Sequence, residues 1–329
     1  MRSKALIAIM ATGLAAVMLP AGKADAAEGK LVLYTSQPNT DAQQTIDAFK
    51  AKYPKVEVSF VRDGTPRIMA KLRAEFEAGA PQADLLLIAD SVTMEALKKE
   101  DRLLAYDKAD VSAYPAGIHD PAKSWFATKL ITTGIVYNTK AAMKPTSWAD
   151  LGKPEAKNLV AMPSPLTSGA ALIHTMTLTG TLPEGWSYYE KLQANGALAA
   201  GGNGDVLRQV ATGEKLYGMI VDFMPIREKA KGAPVEFVFP VEGVSAVSEP
   251  VAILKASKNP EAAKAFVDFL LSAEGQALAL KQGYVAAHPD VALPAGYPAR
   301  AAIKLMPFDA AKALADETAA RKRFSAIFE

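Results

Sequence analysis

The stretch Pro163-Ser164-Pro165-Leu166-Thr167-Ser168-Gly169-Ala170-Ala171 joins the short extended run Leu159 to Met162 to a helix. Two prolines stop the extended run, because proline donates no backbone N–H and restrains the residue before it. Thr167 and Ser168 then supply hydroxyls suited to an N-cap, and Gly169-Ala170-Ala171-Leu172-Ile173 reads as the first turns of an apolar helix. A helix start carries free N–H groups and a partial positive charge, so it suits a small anion. Gly169 lacks a Cβ and lets a ligand come close to the backbone.

The upstream chain alternates strand and helix. Leu31-Val32-Leu33-Tyr34-Thr35 has the unbroken apolar character of a buried parallel strand and ends in a polar loop at Ser36. Ile46, Phe49 and Tyr53 follow at helical spacing, and Val56, Val58 and Phe60 alternate as a half-buried strand does. Arg62-Asp63-Gly64-Thr65-Pro66 then turns into a helix faced by Ile68, Leu72 and Phe76. Ala83 to Ala89 is a third strand, followed by Asp90-Ser91. Open α/β sheets bind ligands at the C-terminal ends of their strands, which nominates Ser36, Thr65 and Asp90.

Downstream, Gly201-Gly202-Asn203-Gly204-Asp205 is a glycine-rich turn without the Lys-Ser/Thr of a Walker loop, and Asp205 there reads as an N-cap. Gly218 to Asp222 is a buried strand whose apolar run ends in a carboxylate. Ile131 to Asn138 and Glu249 to Leu254 are extended runs placed to cross between two domains. The alanine-rich Ala301 to Glu329 reads as packing helices.

Arg2 and Lys4 precede an almost wholly apolar run from Ala5 to Leu19, and Ala24-Asp25-Ala26 matches a small-x-small cleavage site. Residues 1–26 are therefore expected to be a secretory signal peptide cleaved after Ala26, too short for a stable membrane span. The chain has 329 residues and no Cys, so a secreted form must rest on its core, and its length favours two domains. Of 37 basic and 35 acidic side chains, Arg2, Lys4, Lys23 and Asp25 leave with the leader, giving 34 against 34. That balance argues against nucleic acid or an anionic membrane as partner. Thiolate metal sites are impossible, and His119, His174 and His288 are too scattered for a histidine-rich metal site.

The signal peptide, LVLYTS at 31–36, ADLLLIAD at 83–90, TTGIVYNT at 132–139, SPLTSGAA at 164–171 and EPVAILKASKNPEAAKAFVDFLLSAEGQ at 249–276 together resemble an extracellular solute-binding protein of an ABC importer. The nearest branch is the one that includes the ferric-ion-binding proteins. The resemblance implies a type 2 periplasmic binding protein: two α/β lobes, each a mixed, mostly parallel sheet flanked by helices, joined by hinge strands and closing on a ligand. Lobe 1 is expected at 27–129 plus 252–304 and lobe 2 at 130–251 plus 305–329. It also implies a periplasmic monomer that serves an inner-membrane ABC permease, with no cofactor.

In the ferric branch, adjacent tyrosines hold iron just after the strand matching Gly218–Asp222; Met224 and Pro225 stand there and cannot ligate Fe(III). Tyr188-Tyr189 lies in another helix, at a spacing expected for packing. The matching anion cradle survives as Thr167, Ser168, Gly169 and Ala170, while Asp222 and Asp205 add carboxylates. A ligand with both a phosphonate and an ammonium satisfies the two requirements. Its anionic end would sit on Thr167, Ser168 and Gly169 with Ser36 and Thr65, and its cationic end on Asp222, Asp205 and Asp90. Tyr34, Trp125, Phe126 and Phe223 are candidates to shield it.

2-Aminoethylphosphonate, bound by proteins of this branch, is the leading expectation. The rivals are a sugar phosphate or other organophosphate, a polyamine, and ferric ion. A secreted phosphonate or phosphate-ester hydrolase is the alternative of another class, and no Ser-His pairing or GxSxG motif supports it.

Overall fold

The computed structural model describes residues 27–199 and 201–329, so the expected leader and its cleavage site lie outside the described residues. The chain opens with β1 (Gly29–Thr35), α1 (Asn39–Lys52), β2 (Val56–Arg62), α2 (Thr65–Glu77), β3 (Leu85–Leu87) and α3 (Ser91–Lys99). β1 pairs in parallel with both β2 and β3, because each intervening helix carries the chain back to start the next strand from the same end. Two short strands follow, β4 (Leu103–Leu104) and β5 (Phe126–Ala127).

The second sheet is built from β6 (Lys129–Asn138), β7 (Val160–Met162), α4 (Gly169–Thr181), α5 (Trp186–Ala194), β8 (Leu198–Ala199), α6 (Asn203–Thr212), β9 (Tyr217–Val221), α7 (Phe223–Ala230), β10 (Val235–Val238) and β11 (Ser245–Val247). The chain then returns through β12 (Pro250–Leu254), α8 (Pro260–Leu271), α9 (Ala273–Lys281), β13 (Val285–Ala286) and α10 (Ala310–Phe328). The first sheet has the order β2-β1-β3-β12-β4, with β5 also on β12; the second has β10-β6-β9-β7-β8, with β11 and β13 also on β6. Each sheet mixes parallel pairs with one antiparallel strand, β12 in the first and β6 in the second. Those two strands arrive from the other lobe rather than through a local crossover helix.

Sheet pairing fixes where the lobes join. Ala127 still pairs in the first sheet and Lys129 already lies in the second, so the chain crosses at Thr128. It recrosses at Ser248–Glu249, since Val247 pairs with β6 and Pro250 with β5. Pairing thus passes from one sheet to the other within three residues of the limits expected at 129 and 251. The two crossings are bonded to each other, Thr128 N–H donating to Ser248 O at 3.3 Å and Thr128 Oγ1 to Glu249 O at 2.8 Å.

The apolar faces of both sheets are covered. Phe49 on α1 meets Phe266 and Phe269 on α8 with ring centroids 4.8 and 5.8 Å apart, on one side of the first sheet. Trp148, Tyr189 and Phe324 are buried on one side of the second. Each such side chain contributes roughly 1.5–3 kcal/mol over its exposed state. The tail is one long helix, α10, rather than several, and it packs against α3 of the first lobe as well as α4 and α5 of the second. With Arg227 of α7 bonded to Asp41 of α1, the two lobes are closed on one another.

Candidate functional site

A cleft of ≈ 400 Å³ lies between the lobes, lined by the ends of β2, α2, α4 and α6 and by the second crossing. From lobe 1, β2 ends at Arg62 and α2 starts after Gly64, whose N–H is held by Asp63 Oδ1 at 2.7 Å. Thr65 follows; it is 2% exposed and its hydroxyl has no partner. From lobe 2, Ser168 caps α4 by accepting Ala171 N–H at 3.3 Å and also accepts Asn203 Nδ2 at 3.3 Å. Both bonds use lone pairs, so the Ser168 proton is free to donate. Ser36 is similar: its oxygen accepts Ala89 N–H at 2.9 Å and keeps its proton.

Two helix starts lie side by side at this wall. Gly169 and Ala170 on α4, and Asn203 and Gly204 on α6, donate their N–H groups to no other group among the described residues. The α6 turn is set by Gly201 at φ +68°, a conformation that glycine adopts without strain. Asp205 is not the N-cap: α6 starts at Asn203, and Asp205 reaches back from the first turn to accept Gly202 N–H at 2.9 Å. Its other oxygen has no partner among the described residues. Gly169 brings the lobes together, since a Cβ there would lie 2.8 Å from Ala89 O and 2.9 Å from Thr65 Oγ1.

Of the nine expected site residues, Ser36, Thr65, Thr167, Ser168, Gly169, Ala170 and Asp205 line the cleft, and Asp90 and Asp222 do not. Asp222 is 1% exposed; its Oδ2 accepts Thr132 N–H and Oγ1–H at 3.1 and 2.7 Å, and its Oδ1 accepts Phe223 N–H at 2.7 Å. It ties α7 to β6 and lies outside the cleft lining. Asp90, wholly buried, caps α3 through Thr93 N–H and Oγ1–H at 3.1 and 2.7 Å. Thr167 lines the wall, but its one hydroxyl proton is committed to the carbonyls of Gly201 and Ser164, so it fixes the α6 loop instead of donating to an anion.

Among the aromatics, only Phe223 reaches the cleft. Tyr34, Trp125 and Phe126 are buried in lobe 1, with Tyr34 and Trp125 bonded to Glu75 and Glu95. Tyr188 packs behind the second sheet and donates to Trp148 O at 2.9 Å.

Four charged cleft residues were not anticipated: Arg62, Asp63, Arg67 and Glu249. Arg62 is held through Nε by Gln37 O at 2.9 Å, and Arg67 lies one turn on, 3.5 Å from Asp63. Both guanidiniums are exposed toward the cleft and offer further donors. Arg62 is the last residue of β2, so the strand-end rule that nominated Ser36 could have found it. Glu249, at the second crossing, carried no local signal.

Burial pushes the carboxyls of Asp90 and Asp222 up to about 6, against the hydrogen bonds they accept. A folded-state pKa above the unfolded one means that the folded chain binds protons more tightly. The stabilising contribution is then complete below the ordinary carboxylate range and is lost as pH rises through about 6. Asp90→Asn keeps the cap but cannot ionise. Its stability relative to the unsubstituted protein should rise between pH 4 and pH 7 by of order 2 kcal/mol. Denaturant melts at both pH values check this, and a difference that stays flat would refute it.

A closed pair of α/β lobes around a polar cleft at helix starts defines a two-lobed solute-binding protein. The chain matches the family model of the bacterial extracellular solute-binding proteins over residues 35–277, and it belongs to that family. Such proteins are binding proteins that bind small ligands and deliver them to a membrane ABC permease, and the family implies a periplasmic location.

A Haemophilus influenzae protein whose function is uncharacterized is 32% identical over 289 residues, covering 84% of this chain and 81% of its own. A Pseudomonas aeruginosa putrescine/cadaverine-binding protein is 28% identical, covering 78% of each chain. A Salmonella typhimurium protein provisionally named as a 2-aminoethylphosphonate-binding periplasmic protein is 27% identical, covering 72% of this chain and 71% of its own. Among solved structures, the periplasmic binding protein AfuA from Actinobacillus pleuropneumoniae, with exogenous fructose-6-phosphate bound, superposes with a TM-score of 0.83 at 27% identity, covering 91% of this chain and 98% of that one.

Proposed function

We propose that the protein captures a small solute bearing a phosphonate or phosphate group, with 2-aminoethylphosphonate the first ligand to test. One observation carries this reading. Four unpartnered N–H groups at two adjacent helix starts face, across one cleft, the orphaned hydroxyl of buried Thr65. The free protons of Ser36 and Ser168 and the guanidiniums of Arg62 and Arg67 add to the same wall, and all of these donors match phosphoryl oxygens. Of these donors Gly169, Ala170 and Thr65 are buried, and unsatisfied buried donors are expensive, so this wall favours an acceptor-rich guest. An ammonium finds acidic oxygens at Asp205 and Glu249, which replace Asp222 and Asp90 in that role.

A sugar phosphate is the second reading. It is favoured by the solved relative that holds fructose-6-phosphate and by a cleft that leaves room beyond a molecule as small as 2-aminoethylphosphonate. Titration calorimetry on the mature protein with 2-aminoethylphosphonate, fructose 6-phosphate, inorganic phosphate and putrescine separates these. Micromolar or tighter binding of a phosphonate or phosphate is expected. Putrescine binding with no response to any phosphoryl compound would overturn the proposal.

A further inference from the structure

Glu249 is the residue whose state the fold does least to explain. It sits at the second crossing between the lobes, 2% exposed, and it lines the cleft. Its φ is +35°, in the left-handed region that non-glycine residues rarely occupy, so a glycine would suit the backbone better. The chain nevertheless carries a charged side chain at that position. Its Oε2 is held by Lys129 Nζ at 2.7 Å and Gln37 Nε2 at 3.4 Å, while its Oε1 accepts no hydrogen bond among the described residues.

Lys129 is itself 3% exposed and lies 4.1 Å from the centre of the Tyr284 ring, so the carboxylate has little freedom to turn away. A buried, pre-oriented acceptor with one oxygen unused is the arrangement that discriminates most strongly between ligands with and without a matching donor.

We infer that Glu249 is a specificity-determining residue: it reads a hydrogen-bond donor, ammonium or hydroxyl, at the end of the ligand remote from its phosphoryl group. This rests on the phosphoryl reading above. A ligand lacking that donor leaves Oε1 buried and unpaired when the lobes close. Because Glu249 lies in one crossing and Lys129 starts the strand after the other, the contact is made at the hinge itself.

The test uses two matched pairs on the mature protein: 2-aminoethylphosphonate against ethylphosphonate, and fructose 6-phosphate against inorganic phosphate. In the unsubstituted protein, the member with the donor should bind at least tenfold tighter in whichever pair binds. Glu249→Gln removes the charge and keeps an acceptor; Lys129→Met with Glu249→Leu removes acceptor and ion pair together, leaving no unpaired buried lysine. If the donor is an ammonium, the ratio falls at least tenfold in Glu249→Gln already. If it is a hydroxyl, the ratio persists there and falls in the double variant, which also serves where the single one does not fold. A ratio unchanged in the double variant, or an equal loss for both members of a pair, overturns the inference and leaves the phosphoryl reading standing. Failure of the unsubstituted protein to bind any phosphoryl compound overturns both.

Discussion

Gly169→Val should hold the lobes apart and weaken ligand binding several-hundredfold, while each lobe keeps its fold. Gly169 has an ordinary helical backbone, so a side chain there meets no torsional penalty and only space is at stake. A Cβ would lie 2.8 Å from Ala89 O and from Asp90 Cβ, and 2.9 Å from Thr65 Oγ1. All three belong to lobe 1, and two are main-chain or stiff atoms that cannot swing aside. The clash exists only when the lobes are closed, so it bears on the open–closed equilibrium and leaves the open form untouched. Apparent affinity falls in proportion to the closed fraction, and a several-hundredfold loss corresponds to about 3.5 kcal/mol. Gly64 offers a second site, where a Cβ would meet Thr167 O at 2.2 Å. Small-angle scattering with and without ligand, together with calorimetry, checks this. A variant that compacts as the unsubstituted protein does would disprove it.

Arg227→Ala should lower affinity by roughly a hundredfold through the same equilibrium. Arg227 Nη1 donates to Asp41 Oδ2 and Oδ1 at 2.9 and 3.2 Å, joining α7 of lobe 2 to α1 of lobe 1. The guanidinium lies 4.5 Å from the Phe223 ring centre and 4.6 Å from that of Tyr284, and Tyr284 OH also donates to Asp41. Asp41 is 5% exposed, so removing its cation leaves a carboxylate buried with its charge uncompensated. Breaking a buried pair in this way costs roughly 3–5 kcal/mol, and the one-quarter exposure of the Arg227 side chain puts the effect at the lower end. The double variant Arg227→Met with Asp41→Asn should bind better than Arg227→Ala, because no lone charge remains. If Arg227→Ala binds within twofold of the unsubstituted protein, the bridge does not govern closure. Phe223 also lines the cleft, so the cleft wall and the inter-lobe bridge share one aromatic residue.

Strand and helix order was readable wherever the signal was local. Leu31 to Thr35 and Ala83 to Ala89 announced strands by unbroken apolar runs, and Ser168 announced the start of α4 by its hydroxyl before an apolar helix. β4 and β5 were not readable. Each has only two residues and exists because β12, arriving from more than a hundred residues downstream, gives it an edge to pair with.

For the site, position and direction separate. The strand-end rule put Asp90 after β3, and the resemblance put Asp222 after β9, but neither could say which way the carboxylates point. Thr93 and Thr132 decide that by satisfying them in the interior.

From its residues alone this chain determined two alternating α/β units and a capped helix start suited to an anion, because capping and apolar periodicity are set by neighbours in sequence. Only the tertiary structure decided which charges line the cleft. Arg62, Arg67, Asp205 and Glu249 line the cleft together because lobe closure and the pairing of Glu249 with Lys129 juxtapose groups far apart in the chain. No sequence neighbour records that contact, since side-chain direction at a lobe boundary follows from the packing of both lobes together.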